Sequence, residues 1–128
     1  MGEGRGNSAM IVVMVLLLFC MLVFQSEIAD ADTYTVGDEA GWTFGVASWP
    51  NGKQFEEGDK FVFKYDRNIH NVVKVNETGY NACDYTGDVA VLQSGNDTLR
   101  LTAGTHYFIC HIADHCQQRG MKIALHLL

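Results

Sequence analysis

Fourteen consecutive apolar residues, from Ile11 to Phe24, place the strongest constraint on how this 128-residue chain can fold. A helix made from this stretch would be apolar on every side, and so short a chain lacks the protein mass to bury it. The stretch is also shorter than the roughly 20 residues of a membrane-spanning helix. Because the small-residue pattern Ala29-Asp30-Ala31 follows it, we predict a secretory signal peptide at residues 1–31 and a mature domain at residues 32–128.

A signal peptide directs the mature domain to an oxidising compartment, where disulfides persist. Two sequons begin at Asn76 and Asn96, and we predict that both asparagines are glycosylated. The last strand-like segment ends the sequence without a further hydrophobic tail, so we expect a secreted protein with no membrane anchor.

The predicted mature domain is acidic. From Asp32 onward it contains eight Lys and Arg residues and twelve Asp and Glu residues, which gives a net charge of −4. A protein that binds nucleic acid by neutralising phosphates needs the opposite charge. We therefore expect no nucleic-acid partner.

Apolar and polar residues alternate with a period of two along the mature domain, which is typical of strands with one buried face. The pattern is clearest at Lys60–Tyr65 and Met121–Leu127. Weaker candidates lie at Thr33–Val36, Asn71–Val75, Val89–Leu92, Thr98–Leu101 and Thr105–Cys110. Because no segment keeps a helical period for three turns, we predict an all-β fold: an antiparallel Greek-key β-sandwich of seven to eight strands, with short helical turns at most.

The cysteine count is odd once the signal peptide is removed. Cys20 belongs to the predicted signal, and Cys83, Cys110 and Cys116 remain. An odd number in a secreted protein leaves one thiol unpaired or available for another use.

Sulfur and imidazole side chains cluster near the C-terminus. Cys110 ends one predicted strand, Met121 begins the last one, and His115 lies in the loop between them. His70 immediately precedes another predicted strand and can supply a fourth ligand. Two histidines, one cysteine and one weakly bound methionine are the ligand set of a blue-copper electron-transfer site, so we predict one type 1 copper ion as the cofactor.

Several segments also resemble the phytocyanins, a family of plant blue-copper proteins, and among them the plantacyanins or plant basic blue proteins. They are Gly41-Trp42-Thr43-Phe44, His70-Asn71-Val72-Val73, Tyr80-Asn81-Ala82-Cys83, Tyr107-Phe108-Ile109-Cys110, His115-Cys116-Gln117 and Gly120-Met121-Lys122-Ile123-Ala124. The resemblance spans essentially the whole mature domain.

The resemblance implies a cupredoxin fold with copper held by His70, Cys110, His115 and Met121. It also implies a disulfide between Cys83 and Cys116, which leaves Cys110 as the free thiolate. Asn71 occupies the position that ties the two ligand-bearing segments together by hydrogen bonds. The implied function is one-electron transfer in the apoplast or cell wall.

Three features depart from the usual family pattern. Five residues separate His115 from Met121, where family members commonly have four, and this leaves Gln117 or Gln118 as an alternative axial ligand. Ile112-Ala113-Asp114 replaces a common Phe-Pro-Gly. The domain is acidic, whereas the plantacyanins are named for being basic, and this charge suggests a different redox partner.

Some of the same residues could serve functions other than copper binding. A structural zinc site would use Cys110, His111, His115 and Cys116, but it would leave Cys83 without a partner. A thiol enzyme with Cys110 as nucleophile would need a substrate cleft that so small a sandwich hardly provides. The remaining alternative is a non-catalytic signalling or cell-wall interaction protein.

We therefore expect a monomeric electron carrier and not an enzyme. Its redox partner is unknown, and a small phenolic compound or an extracellular protein are the candidates. Phe44, Trp42 and Trp49 are expected in the core. The three other histidines have no assigned role; they are His106, His111 and His126.

Overall fold

The computed structural model describes residues 2–27 and 31–128, and the chain divides into two compact units, residues 1–30 and Ala31–Leu128. Most of the predicted cleavage pattern, Ala29 and Asp30, lies outside the described residues. The prediction that residues 1–31 are a signal peptide therefore stays a prediction.

The first unit contains helix α1, from Gly2 to Glu27. Its large apolar side chains between Met10 and Met21 are more than half exposed. In the described ranges, no helix combines the length and the apolarity that crossing a bilayer requires.

The second unit is built from short strands, as the alternating pattern predicted. They are β1 (Thr33–Thr35), β2 (Lys60–Lys64), β3 (Val72–Val75), β4 (Val91–Leu92), β5 (Asn96–Arg100), β6 (Gly104–Ile109) and β7 (Lys122–Leu127). Helix α2 spans Glu77–Ala82, and two 3₁₀ turns span Asp38–Ala40 and Val46–Ser48. The predicted all-β class with short helical turns is confirmed for this unit.

The strands form two sheets, with the order β1-β2-β5 in one and β4-β3-β6-β7 in the other. Neighbouring strands are antiparallel except β1 and β2, which are parallel. The prediction of a wholly antiparallel sandwich is wrong at this pair. The chain between the two strands, residues 36–59, is long enough to return to the end from which β1 started, as a parallel pairing requires.

Hydrogen bonds to Asp59 fix the start of β1. This carboxylate is 3% exposed. Its Oδ1 accepts from the Asp32 N–H at 2.9 Å and its Oδ2 accepts from the Glu56 N–H at 2.8 Å. The Lys60 N–H donates in turn to the Asp32 carbonyl. A buried carboxylate needs such donors because burial removes its water.

Two clusters of buried apolar side chains lie on opposite faces of the four-stranded sheet. The main cluster fills the space between the sheets; its buried members are Val36, Trp42, Val46, Phe55, Phe61, Phe63, Val72, Leu101, Phe108, Cys110, Met121, Ile123, Leu125 and Leu127. The outer cluster consists of Val73, Val75, Cys83, Ile109 and Cys116. Burial of each large aliphatic or aromatic side chain contributes about 1.5–3 kcal/mol relative to exposure.

One end of the four-stranded sheet collects the residues that the sequence singled out. Val73 of β3 pairs with Ile109 of β6, and Ile109 pairs with Lys122 of β7. Because these pairs are antiparallel, the start of β3, the end of β6 and the start of β7 lie side by side. The residues just beyond those ends are His70, Cys110 and Met121.

Candidate metal centre

Three side chains from two distant segments meet at this end of the sheet. The Nδ1 atoms of His70 and His115 are 3.2 Å apart. The Cys110 Sγ lies 3.5 Å from the His115 Nδ1 and 4.0 Å from the His70 Nδ1. These three donor atoms all lie within 4.8 Å of one another.

The donor set fits a single metal ion. Metal–nitrogen bonds of about 2.0 Å and metal–sulfur bonds of about 2.3 Å put the donor atoms of one ion about 3–4 Å apart. The observed separations of 3.2, 3.5 and 4.0 Å fall in that range. A thiolate with two imidazoles suits copper, because the soft sulfur favours Cu(I) and the imidazoles bind either oxidation state.

Burial differs among the site residues. Cys110 and Met121 are fully buried and His70 is 4% exposed, whereas His115 is half-buried. Burial, followed by the neighbouring His115, lowers the pKa of His70. The neutral imidazole that this favours is the form that binds a metal.

Two backbone N–H groups point at the Cys110 sulfur. Burial raises the pKa of the Cys110 thiol, while hydrogen bonds from the backbone of Asn71 and Ile112 oppose that rise. Donors of this kind stabilise a thiolate in an apolar pocket, where its charge would otherwise be costly.

Met121 is fixed by its backbone to both ligand-bearing segments. Its N–H donates to the His115 carbonyl at 2.9 Å, and its carbonyl accepts from the Cys110 N–H at 3.0 Å. Its side chain is buried in the main cluster with Cys110. Gln117 and Gln118 are exposed. The longer loop therefore leaves Met121 in the interior and its two glutamines in solvent.

Asn71 ties three segments together. Its Oδ1 accepts from the His111 N–H at 2.9 Å, and its carbonyl accepts from the Trp42 indole N–H at 2.8 Å. The backbone of Asn71 also forms a hydrogen bond with the Cys110 sulfur. The linking role that the resemblance implied for Asn71 corresponds to these contacts.

The structure joins Cys83 and Cys116 in a disulfide with a Cα–Cα distance of 5.7 Å, and Cys110 remains free. This arrangement is incompatible with the zinc alternative, which requires Cys116 as a ligand. The zinc site would also require His111 as a ligand, but the His111 Nε2 instead lies 3.1 Å from the Asp84 Oδ1. The structure also argues against the thiol-enzyme alternative, because Cys110 is fully buried and a substrate could not reach its sulfur.

The core prediction is correct for Trp42, which is buried, and Trp49 packs against the main cluster. It is wrong for Phe44, which is 39% exposed. Phe44 contacts both imidazoles of the site, at ring-centroid distances of 5.2 Å from His70 and 4.9 Å from His115. The motif ending in Phe44 gave no signal of this contact, because it depends on how two distant loops meet.

Comparison with known proteins gives the same assignment. A model of the plastocyanin-like domain matches residues 42–121. Chemocyanin from Lilium longiflorum is 47% identical over 126 residues, which cover 98% of each chain. The structure of cucumber basic protein, a blue copper protein, superposes with a TM-score of 0.73 at 46% identity and covers 75% of this chain and 99% of its own.

Spinach plantacyanin gives a TM-score of 0.65 at 41% identity, with 75% of this chain and 99% of the spinach chain covered. The plastocyanin-like match includes the segments that carry His70, Cys110, His115 and Met121, and the chemocyanin alignment covers nearly the whole chain. The chain therefore belongs to the phytocyanin family of blue copper proteins, and copper is the cofactor of its site.

Proposed function

We propose that the mature protein carries single electrons on a copper ion held by His70, Cys110, His115 and Met121. The observation that carries this proposal is the preformed set of two imidazole nitrogens and one free thiol, spaced 3.2–4.0 Å apart at the end of a rigid sheet. Bound copper supplies a one-electron Cu(II)/Cu(I) couple.

The protein's contribution is to hold the donors still. Cys110 and Met121 are fixed by a backbone hydrogen bond to each other, and Met121 is fixed by a second one to His115. Because the strands and these bonds set the positions, the side chains need little rearrangement when the charge of the site changes. The half-buried edge of His115 gives the site a route to the surface, whereas His70 and Cys110 are shielded.

Copper uptake tests the proposal directly. We expect the copper-free protein to turn blue when Cu(II) is added, with an intense thiolate-to-copper band at about 600 nm. Cys110→Ser and His115→Gln should abolish this band. His106→Gln is the matched control, since His106 lies on β6 and bonds to the Thr102 carbonyl. A colourless wild-type protein at full copper occupancy would contradict the proposal.

The axial position has its own test. Met121→Leu should keep the blue band and raise the reduction potential, because it removes the thioether that helps to stabilise Cu(II). Gln117→Ala and Gln118→Ala should leave colour and potential unchanged. If a glutamine variant shifts the potential and Met121→Leu does not, the axial ligand is the glutamine.

We also propose that residues 1–31 are removed and that the mature domain is secreted to the apoplast. The Cys83–Cys116 disulfide supports an oxidising destination, and both sequon asparagines, Asn76 and Asn96, are exposed. N-terminal sequencing of the secreted product should begin at Asp32. A product that retains α1 would overturn this proposal.

The acidic domain favours a redox partner that is neutral or basic at its contact surface, either a phenolic compound or an extracellular protein. Stopped-flow reduction by a neutral and by an anionic phenol of matched potential tests this preference. The neutral compound should react faster, and the difference should shrink at high salt. A signalling role independent of electron transfer would instead survive Cys110→Ser.

A further inference from the structure

An aromatic ring stands at the exposed rim of the copper site. The Phe44 ring lies nearly perpendicular to both imidazoles, at interplanar angles of 87° to His70 and 82° to His115. The two imidazoles are themselves 5.0 Å apart between centroids. Edge-to-face contacts at these distances are favourable and have a preferred geometry. Phe44 therefore restricts the orientation of both imidazoles, although it is not a ligand.

A guanidinium group covers the same ring. The Arg119 Cζ lies 4.7 Å from the Phe44 ring centroid, within the range of a cation–π interaction. The Arg119 carbonyl also accepts a hydrogen bond from the Gly45 N–H at 2.9 Å. Arg119 is thus anchored by its backbone to the residue that follows Phe44.

Glycines shape the turns at which these two loops meet. Gly45 has φ of 75°, in the left-handed region that favours glycine. A Cβ added to Gly120 would lie 3.7 Å from the Gly45 Cα, an ordinary van der Waals distance, so the two loops pack side by side at these glycines. Docking of the loops therefore holds the side chains of Phe44 and Arg119 together.

The charge of Arg119 lies close enough to influence the metal. The distances from guanidinium to Phe44 and from Phe44 to His115 place the Arg119 Cζ within about 10 Å of the His115 ring, about one Debye length at 0.1 M salt. A positive charge at that range disfavours the more highly charged Cu(II) relative to Cu(I). The positive charge of Arg119 counteracts the negative charges of Asp66 and Asp114, the carboxylates close to His70 and His115 in sequence.

We infer that Arg119 and Phe44 form a clamp on the copper site: Arg119 holds Phe44, Phe44 orients His70 and His115, and the guanidinium charge raises the reduction potential. We call this pair the Arg119–Phe44 clamp. The inference rests on the proposed copper function and adds two positioning residues to it.

The charge of the clamp is tested by comparing Arg119→Gln with Arg119→Lys. Arg119→Gln should shift the ratio of Cu(II) to Cu(I) affinities about threefold towards Cu(II) at low salt, which lowers the potential by about 28 mV for a one-electron couple. The shift should shrink in 1 M salt, and Arg119→Lys should stay near wild type. The matched control is Lys53→Gln, which removes a cation 5.2 Å from the Trp49 ring, and should leave the potential unchanged.

The positioning by Phe44 is tested without copper. Side-chain NMR relaxation of the copper-free protein should show a more mobile His115 ring in Phe44→Leu than in wild type. In the Cu(II) form, Phe44→Leu should increase the relaxation of bulk water protons at least twofold, because the ring shields the imidazole edges.

The outcomes separate the two proposals. A wild-type protein that never forms a blue site overturns the proposed function and the clamp with it. A blue wild type whose Arg119→Gln potential is unaltered overturns the charge effect. Unchanged His115 mobility in Phe44→Leu overturns the positioning role, and the proposed function stands in both of these last cases.

Discussion

The two clusters on the faces of the four-stranded sheet are held together by different means. The main cluster is closed by the second sheet and contains large rings that pack on one another, such as Phe63 and Phe108 at 5.1 Å between centroids. The outer cluster is covered by the short helix α2 and contains the Cys83–Cys116 disulfide. Where no second sheet provides apolar area, a covalent link restricts the chain instead.

The site loop connects the two clusters. Cys110 and Met121 belong to the main cluster, and Cys116 belongs to the outer one. His115 lies between these anchors, one residue before the disulfide. The loop is therefore fixed on both faces of the sheet, which explains how an exposed loop can hold a ligand in position.

The largest expected effect tests the main cluster. Phe108→Ala removes a fully buried ring and should lower the free energy of unfolding by about 4 kcal/mol, through lost burial and the cavity that remains. Urea unfolding monitored by tryptophan fluorescence measures it. Val91→Ala, at a side chain that is 45% exposed, should cost less than about 1 kcal/mol. Similar losses in the two variants would contradict the importance assigned to the main cluster.

The next effect tests the outer cluster. Replacing both Cys83 and Cys116 by Ala opens a link between residues 33 positions apart and should cost about 3 kcal/mol. Hydrogen exchange should show early loss of protection at the Tyr80 amide in α2, with the Phe61 amide in β2 still protected. Equal loss at both amides would mean that the two clusters unfold as one unit.

A smaller effect tests the connection between the clusters. Asn71→Ala removes the acceptor for the His111 N–H and should cost about 1–2 kcal/mol. Asn71→Asp keeps an oxygen at the same place and should recover most of that loss. The two variants are compared by urea unfolding and by the intensity of the blue band. If Asp is as damaging as Ala, the hydrogen bond is not the reason that Asn71 matters.

The last effect concerns the edge of the main cluster and appears only at alkaline pH. Burial, with a hydrogen bond to Asp97, raises the pKa of Tyr65 to about 12. The unfolded chain loses this proton near pH 10, so the free energy of unfolding should fall as pH rises from about 10 to 12. Tyr65→Phe should lack this component. Parallel pH profiles for the two proteins would contradict the assignment.

Sequence was sufficient for the features that local pattern dictates. The alternation in Lys60–Tyr65 and Met121–Leu127 identified β2 and β7 because a strand with one buried face has a period of two. Cys110, His115 and Met121 lie close together in sequence, so their convergence required only one loop between two strands. His70 reaches the site only through the pairing of β3 with β6, which no local pattern shows. Its identification as a ligand came from the resemblance of His-Asn-Val to the family motif.

The features that sequence did not predict depend on contacts between distant segments. Helix α2 has six residues, too few for a detectable helical period, and Asn76 caps it by accepting from the Gly79 N–H. The contact of Phe44 with the imidazoles arises only when the Gly41–Gly45 turn meets the loop that carries Arg119. The parallel pairing of β1 with β2 likewise depends on the path of a long connection.

The bond between Asp32 and Asp59 gives a second meaning to the proposed removal of residues 1–31. The Asp32 nitrogen already lies 2.9 Å from a buried carboxylate oxygen, as an uncharged amide. Cleavage after Ala31 would turn that amide into a positively charged ammonium at the same place. The new chain terminus would then neutralise Asp59, and maturation would leave an internal ion pair that the precursor lacks.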